Sequence, residues 1–247
     1  MKGPIFYAAG QTDALNYAVG ILERHRVCFC DSPSPQVTHL LLGVPAFRPD
    51  GALQGGGSLE RALALLPENI TVVGGNLNAT TLIPYKKIDL LADPLYLAEN
   101  ARITAYCAIR QAMDRLTVTL WQCPVLVVGW GRIGKCLAQL LKQMGADVTV
   151  SARKETDLAA LISLGYSVRN SENLSDDLMK YRVIFNTVPV MVLPQEAVCR
   201  EGCLKIDLAS RQGIGGENVI WAKGLPNKDA PESSGALIAN TILRLTC

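Results

Sequence analysis

The residues best suited to chemistry lie in one turn, Gly129-Trp130-Gly131-Arg132-Ile133-Gly134, a Gly-x-Gly-x-x-Gly hexapeptide between an apolar run and an amphipathic stretch. Glycines at this spacing cradle a pyrophosphate when a buried strand precedes them and a helix follows, because the phosphate then meets unpaired amides at the helix N-terminus. The neighbouring sequence meets both conditions. Val125-Leu126-Val127-Val128 is a continuous apolar run of the kind buried on both faces of a parallel sheet. Ile133, Leu137, Leu140, Leu141 and Met144 then fall on one face of a helical repeat, and Gly145 stops it. Ala146 to Val150 supplies the next strand. In this unit Gly129 permits the tight turn, Gly131 admits the pyrophosphate and Gly134 lets helix and strand pack closely. The whole hexapeptide, with Trp130, Arg132 and Ile133, is therefore assigned to a dinucleotide.

At the end of the second strand an NAD enzyme ordinarily carries a carboxylate that accepts from the ribose 2′-hydroxyl. Here Ser151-Ala152-Arg153-Lys154 offers a hydroxyl and two cations, and Glu155 comes only after them. That set suits a 2′-phosphate, so NADP is the expected cofactor and NAD the alternative. Read as solvated loop charges, Arg153 and Lys154 leave the missing acid unexplained. Two later apolar runs also end in polar residues: Val183-Ile184-Phe185 before Asn186-Thr187-Val188-Pro189, and Leu204 to Leu208 before Ala209-Ser210-Arg211. Ligands of open parallel sheets sit beyond the carboxyl ends of the strands, which adds Asn186, Thr187, Val188, Pro189, Ala209 and Ser210 to the cofactor set. Asp207 stands in an otherwise apolar strand and must find partners there, either loop amides or Arg211. That structural role stands beside a catalytic one.

The elements needed to position these residues run along the whole chain of 247 residues, long enough for one large domain or two small ones. Hydrophobic residues make up 49% and charged residues 19%, and 21 Gly and 13 Pro are scattered singly, which excludes disordered, collagen-like and coiled-coil chains. A formal charge of +2 lacks the basic excess that nucleic acid demands. No apolar run approaches the roughly 20 residues that span a bilayer, and the N-terminus passes directly into a strand-like run, so a cytoplasmic location without membrane partner is expected. The eight cysteines form no paired CxxC, and His25 and His39 both lie in the first 40 residues, so no metal site is expected and no histidine base can act from the second half.

In the first hundred residues, strands at 5–10, 27–30, 39–44 and 71–75 alternate with helices at 15–24 and 59–66, the latter capped by Ser58. Pro45 to Ser58, with Gly55-Gly56-Gly57, reads as a surface excursion or a mobile loop beside a site. A helix from about Tyr96 to Met113 marks the domain boundary. The reading is α/β: residues 1–100 as a flavodoxin-like parallel sheet, 101–230 as a Rossmann dinucleotide-binding domain, and 231–247 as a C-terminal helix packing back on the first domain.

From Val125 onward the sequence resembles the A-subunit family of dipicolinate synthase. The resemblance rests on the glycine hexapeptide, Ser151-Ala152-Arg153, Asn186-Thr187-Val188-Pro189, Ile206 to Arg211, Gly224-Leu225-Pro226, Ala230-Pro231 and Gly235 to Asn240. It implies a two-domain layout like that of 2-hydroxyacid dehydrogenases and a cytoplasmic role in the mother cell of a sporulating bacterium. It also implies a flavoprotein-like second subunit in a homo- or hetero-oligomer. The implied reaction oxidises a hydroxy-tetrahydrodipicolinate-type precursor to dipicolinate with NADP as hydride acceptor. A dicarboxylate substrate needs cations, and Arg211, Lys223 and Arg102 on the interdomain helix are assigned to it, with Asp207 or water taking the proton. Ser210 and Asn186 are assigned to the nicotinamide ribose or amide. The family carries Thr/Ala-Glu-Gly where this chain has Asn100-Ala101-Arg102, with Glu99 one turn away. Two other functions stay open: an NADP-binding scaffold subunit without catalysis, and a 2-hydroxyacid dehydrogenase, which the missing histidine disfavours.

Overall fold

The structure, a computed structural model, describes residues 3–174 and 177–246. It divides into two compact units, Met1–Asn100 with Pro226–Cys247, and Ala101–Leu225. The first unit begins with β1 (Ile5–Ala8), α1 (Asp13–Arg24), β2 (Cys28–Phe29), β3 (His39–Leu41), α2 (Leu59–Ala64), β4 (Thr71–Gly74) and β5 (Lys86–Asp89). Helix α3 (Pro94–Met113) carries the chain into the second unit. There follow β6 (Pro124–Val128), α4 (Arg132–Gln143), β7 (Asp147–Ala152), α5 (Glu155–Ser163), β8 (Ser167–Asn170), β9 (Val183–Asn186), β10 (Leu204–Asp207) and β11 (Val219–Trp221). The chain then returns through α6 (Leu225–Asp229) and α7 (Pro231–Thr246).

The fold is α/β with two sheets, ordered β2-β1-β3-β4-β5 and β11-β10-β9-β6-β7-β8. All of their strand pairs are parallel. The first order is that of flavodoxin-like sheets; the second, counted from β6, is the dinucleotide-binding order with its reversal between β6 and β9. Val125 to Val128 and Val183 to Phe185 are completely buried, as central strands covered on both faces must be. Strand β5, with Lys86 and Lys87, escapes sequence reading because charged residues suit an edge rather than a core.

Local chemistry fixes the helix ends. The Thr12 hydroxyl accepts from the Leu15 amide at 3.2 Å at the start of α1, with Asp13 in its first turn and Arg24 in its last. The Asp93 carboxylate accepts from the Tyr96 amide at 2.7 Å ahead of Pro94, so α3 starts two residues before the apolar pattern does. Helix α7 starts at Pro231, where the sequence places the C-terminal helix, and the short helix α6 precedes it. Ile238, Ala239 and Ile242 of α7 are buried with Phe6, Leu15, Leu22 and Tyr96 in one core, and each isoleucine contributes about 1.5–3 kcal/mol by leaving water. Gly235 makes this contact possible: a Cβ there would stand 2.5 Å from Cβ of Tyr17 and 2.6 Å from the Ala14 carbonyl oxygen.

The segment 45–58 is folded back rather than loose. Phe47 and Leu53 form an antiparallel bridge, the Gln54 amide donates to the Ala46 carbonyl, and Ala46 and Leu53 are buried. The Gln11 amide reaches the Gly55 carbonyl at 3.3 Å, and a Cβ on Gly55 would collide with the Gln11 backbone.

Candidate functional site

Beyond the carboxyl ends of β6, β7 and β9 lies a cleft of about 580 Å³. Gly129 to Gly131 form one wall, Ala152 to Lys154 with Asp157 a second, and Val188 with Val190 to Val192 a third. The three glycines have distinct reasons to be glycine. Gly129 has φ +102°, and a Cβ on it would stand 2.5 Å from Oγ1 of Thr187 and 2.7 Å from Cγ2 of Val188. A Cβ on Gly134 would run into the Gly129 carbonyl oxygen. At Gly131, which caps the N-terminus of α4 without any side-chain acceptor, a Cβ would enter open space with no atom within 4 Å. Room beside unpaired first-turn amides of a 12-residue helix is what a pyrophosphate requires, so the residues present fit a dinucleotide.

Of the residues assigned from sequence, Gly129, Trp130, Gly131, Ala152, Arg153, Lys154 and Val188 line this cleft. Arg132 is exposed in the first turn of α4 and Ile133 is half-buried behind it. Trp130 meets Tyr166 edge-on at 5.8 Å between ring centres, and Lys135 lies 5.6 Å from the Trp130 ring. Burial pushes the Tyr166 phenol up from its ordinary value. Ser151 differs from the sequence assignment: it is completely buried, and its hydroxyl accepts from Ser171 at 3.3 Å instead of facing the cleft. Ser171 and Glu172, just beyond β8, line the cleft instead. Sequence reading missed them because β8 is a short, polar-rich strand with no apolar run to announce it.

The polar residues that end β9 and β10 form a latch. Asn186 and Asp207 are both completely buried. The Asn186 amide donates to the Val188 carbonyl at 2.9 Å and to Oδ1 of Asp207 at 3.0 Å, and its oxygen accepts from the Val188 amide. Asp207 also accepts from the amides of Ala209 at 3.0 Å, Gly213 at 2.6 Å and Ile214 at 2.9 Å. Of the two partners considered for Asp207, loop amides are the ones the structure provides. With four donors on its two oxygens, it is placed to hold backbone rather than to meet a ligand, and the Asn186 side chain is turned inward in the same way.

The latch reaches the cleft through Gly213, whose carbonyl accepts from the Val192 amide at 2.8 Å. A Cβ on Gly213 would meet Nδ2 of Asn186 at 2.6 Å and the Val188 carbonyl oxygen at 2.9 Å, so two loops interlock at a residue that must be glycine. Thr187 closes the turn by donating to the Val128 carbonyl at 2.9 Å, and Pro189 continues the chain toward Val190. Buried Ala209 accepts from the Trp221 indole at 3.0 Å, whereas Ser210, Arg211 and Lys223 are exposed beyond the ends of β10 and β11, with Lys223 over the Trp221 ring at 5.7 Å. Arg102 is exposed on α3 with its guanidinium 6.0 Å from the Tyr106 ring, and it does not line the cleft.

No helix among the described residues is long and apolar enough to cross a membrane. No family model matches the chain. Over 156 residues it is 30% identical to the dipicolinate synthase A-subunit of Bacillus subtilis, a stretch covering 59% of this chain and 52% of that protein. The sequence match thus spans about half the length of the curated relative. The crystal structure of the dipicolinate synthase A-subunit from Bacillus halodurans shares the fold with a TM-score of 0.85, at 20% identity, over 99% of this chain and 98% of that one. A transhydrogenase from Sinorhizobium meliloti shares it at 0.72 and 13% identity, over 97% and 92% of the two chains.

Proposed function

We propose that this chain, a relative of the dipicolinate synthase A-subunit with an oxidoreductase-type fold, binds NADP and oxidises a hydroxy-tetrahydrodipicolinate-type precursor to dipicolinate. The observation that carries the reading is the cleft itself: a glycine turn with open space at Gly131 on one wall, and Arg153 and Lys154 on the other with no carboxylate at the end of β7. Gly129 to Gly131 hold the pyrophosphate, and Arg153 with Lys154 hold a 2′-phosphate by charge-assisted hydrogen bonds. Val188 and Val190 to Val192 supply an apolar wall that excludes water.

Nicotinamide, when bound, accepts a hydride. The precursor loses water, then a hydride and a proton, and the aromatic ring that results drives the conversion. Orientation therefore supplies much of the rate. Arg211 and Lys223 are exposed cations beyond the sheet's carboxyl edge and pair with the two carboxylates of the substrate, and Arg102 is a third candidate. Asp207 has its oxygens occupied by four donors, so the proton passes to water and Asp207 acts as a positioning residue. A flavoprotein-like second subunit completes the enzyme in the cytoplasm of a sporulating mother cell.

The test supplies the purified chain, with and without that subunit, with NADP and the precursor, and follows NADPH and dipicolinate absorbance. Both products should appear together. NADP binding without turnover in either preparation refutes the reaction and favours a scaffold role. Arg153→Asp should move cofactor preference toward NAD by tenfold or more, on the order of the loss of one charge-assisted pair; unchanged selectivity refutes the 2′-phosphate assignment.

A further inference from the structure

A second cleft, of about 760 Å³, lies in the same unit at the other end of the strands. Its floor is the amino edge of the sheet. Arg182 precedes β9, its amide donating to the carbonyl of Pro124 at 2.8 Å, and Leu204 opens β10 by donating to the Arg182 carbonyl at 3.0 Å. The dinucleotide cleft lies beyond the carboxyl ends, a strand length of about 13 Å away. The two clefts share no lining residue.

The amino-edge cleft gathers cations. Arg115, Arg182, Arg200 and Lys205 line it, the last three half-buried. The Arg115 guanidinium is taken by Gln111, donating to its side-chain oxygen at 2.6 Å. Arg182 reaches Thr117 at only 3.4 Å, and its Nε is buried without a hydrogen-bond partner. Among the described residues, neither Glu196 nor Glu201 on the rim forms an ion pair with these cations. Nor do Cys123 and Cys203 neutralise them. Burial raises the Cys123 thiol against the opposing pull of Arg182 and Arg200. Burial and then Cys199 push Cys203 up to about 12, against Lys205 and Arg200. Cys123 and Cys203 therefore stay protonated while feeling the same positive field.

Arg182, Arg200 and Lys205 thus line one cleft with no carboxylate paired to them among the described residues, and a cluster of cations of this kind attracts an anion. Guanidinium groups match phosphate oxygens in a planar fork, and the cleft's size falls within the range of roughly 300–1,000 Å³ of small-molecule pockets. Exposed Val198, with Leu116 and Ala197, offers apolar contact to an organic moiety. We propose that this amino-edge cleft is a second ligand site, which takes a small molecule bearing a diphosphate-type group through Arg182, Arg200 and Lys205. It is separate from the dinucleotide cleft and does not depend on the reaction proposed above.

The probe is inorganic pyrophosphate, titrated calorimetrically into the full chain, into Gly131→Val, which blocks the dinucleotide cleft, and into Arg200→Gln and Lys205→Gln each combined with Gly131→Val. Binding should persist in Gly131→Val and weaken about tenfold or more in each of the other two. No binding to the wild-type chain, binding lost in Gly131→Val, or binding unchanged in both cleft variants overturns the proposal. A measurement on the unaltered chain guards against variants that misfold: the rate of alkylation at Cys199, which lines the cleft, against that at exposed Cys28. Pyrophosphate should slow Cys199 severalfold and leave Cys28 unchanged. Equal rates at Cys199 with and without pyrophosphate overturn the assignment.

Discussion

Replacing Asp207 by Asn changes one atom's hydrogen-bond polarity at the centre of the latch. The carboxylate takes four donors, two on each oxygen: Asn186 and Ala209 on Oδ1, Gly213 and Ile214 on Oδ2. In Asp207→Asn one oxygen becomes an NH2 group that faces two donors and can accept neither. Two charge-assisted hydrogen bonds, each about 1.5–3 kcal/mol, are lost, and two buried N–H groups are left without acceptors. The expected destabilisation is about 3–6 kcal/mol, a large share of the 5–15 kcal/mol that typically holds a domain. Because the chain forms two units, urea unfolding should be followed by probes of each; the Trp130 and Trp221 signals report the second unit. The transition of that unit should move to lower urea while the first unit's is unchanged. Dinucleotide affinity should fall in parallel, because Gly213 ties the latch to Val192 on the cleft wall. A variant with native stability and native NADP affinity but no turnover would show that Asp207 acts on the substrate, and would refute the positioning role.

Gly131→Val should leave stability nearly unchanged, since the added side chain enters open space, yet weaken NADP binding by a hundredfold or so through loss of the pyrophosphate's place, measured by fluorescence titration. A drop in melting temperature without loss of affinity contradicts that reading. Acid should weaken the first unit in two steps. Burial, and then Lys86, hold the His39 imidazole below its ordinary value, so the unfolded chain takes up that proton first and stability declines as pH falls through about 6.5. The Tyr96 amide, and then the Arg244 guanidinium 2.7 Å away, hold the Asp93 carboxyl below its ordinary value, so its contribution is present at neutral pH and lost as pH falls below about 4. Melting curves across pH 3–8 check both: His39→Gln should flatten the upper decline and Asp93→Asn the lower, and curves unchanged by these substitutions contradict the assignments.

Much of the candidate dinucleotide site is legible in the sequence because its requirements are local. A buried strand, three glycines and an amphipathic helix are contiguous, and each glycine answers a different steric demand that the turn itself creates. The alternation of strands and helices makes the two parallel sheets legible for the same reason. What escapes depends on residues distant in sequence. Ser151 and Arg153 sit on one strand end, but only the pairing of β7 with β8 decides that Ser171 covers the serine while the arginine stays in the cleft. The latch at Gly213 is equally non-local, since two loops separated in the chain meet there at sub-van-der-Waals clearance for any side chain. Lys86 and Lys87 hide an edge strand whose existence is set by its neighbour β4 and by no pattern of its own.

Helix α7 completes the first unit's core with residues that follow the whole of the second unit in the chain. During synthesis on the ribosome the second unit is therefore the first that can close, whereas the flavodoxin-like sheet must wait with the Ala14, Ala18 and Leu22 face of α1 uncovered until residues near 242 emerge. The order of birth of the two units is thus the reverse of their order of initiation. A nascent chain arrested after Leu225 would expose an apolar stripe to chaperones while already carrying the finished cleft of the glycine turn.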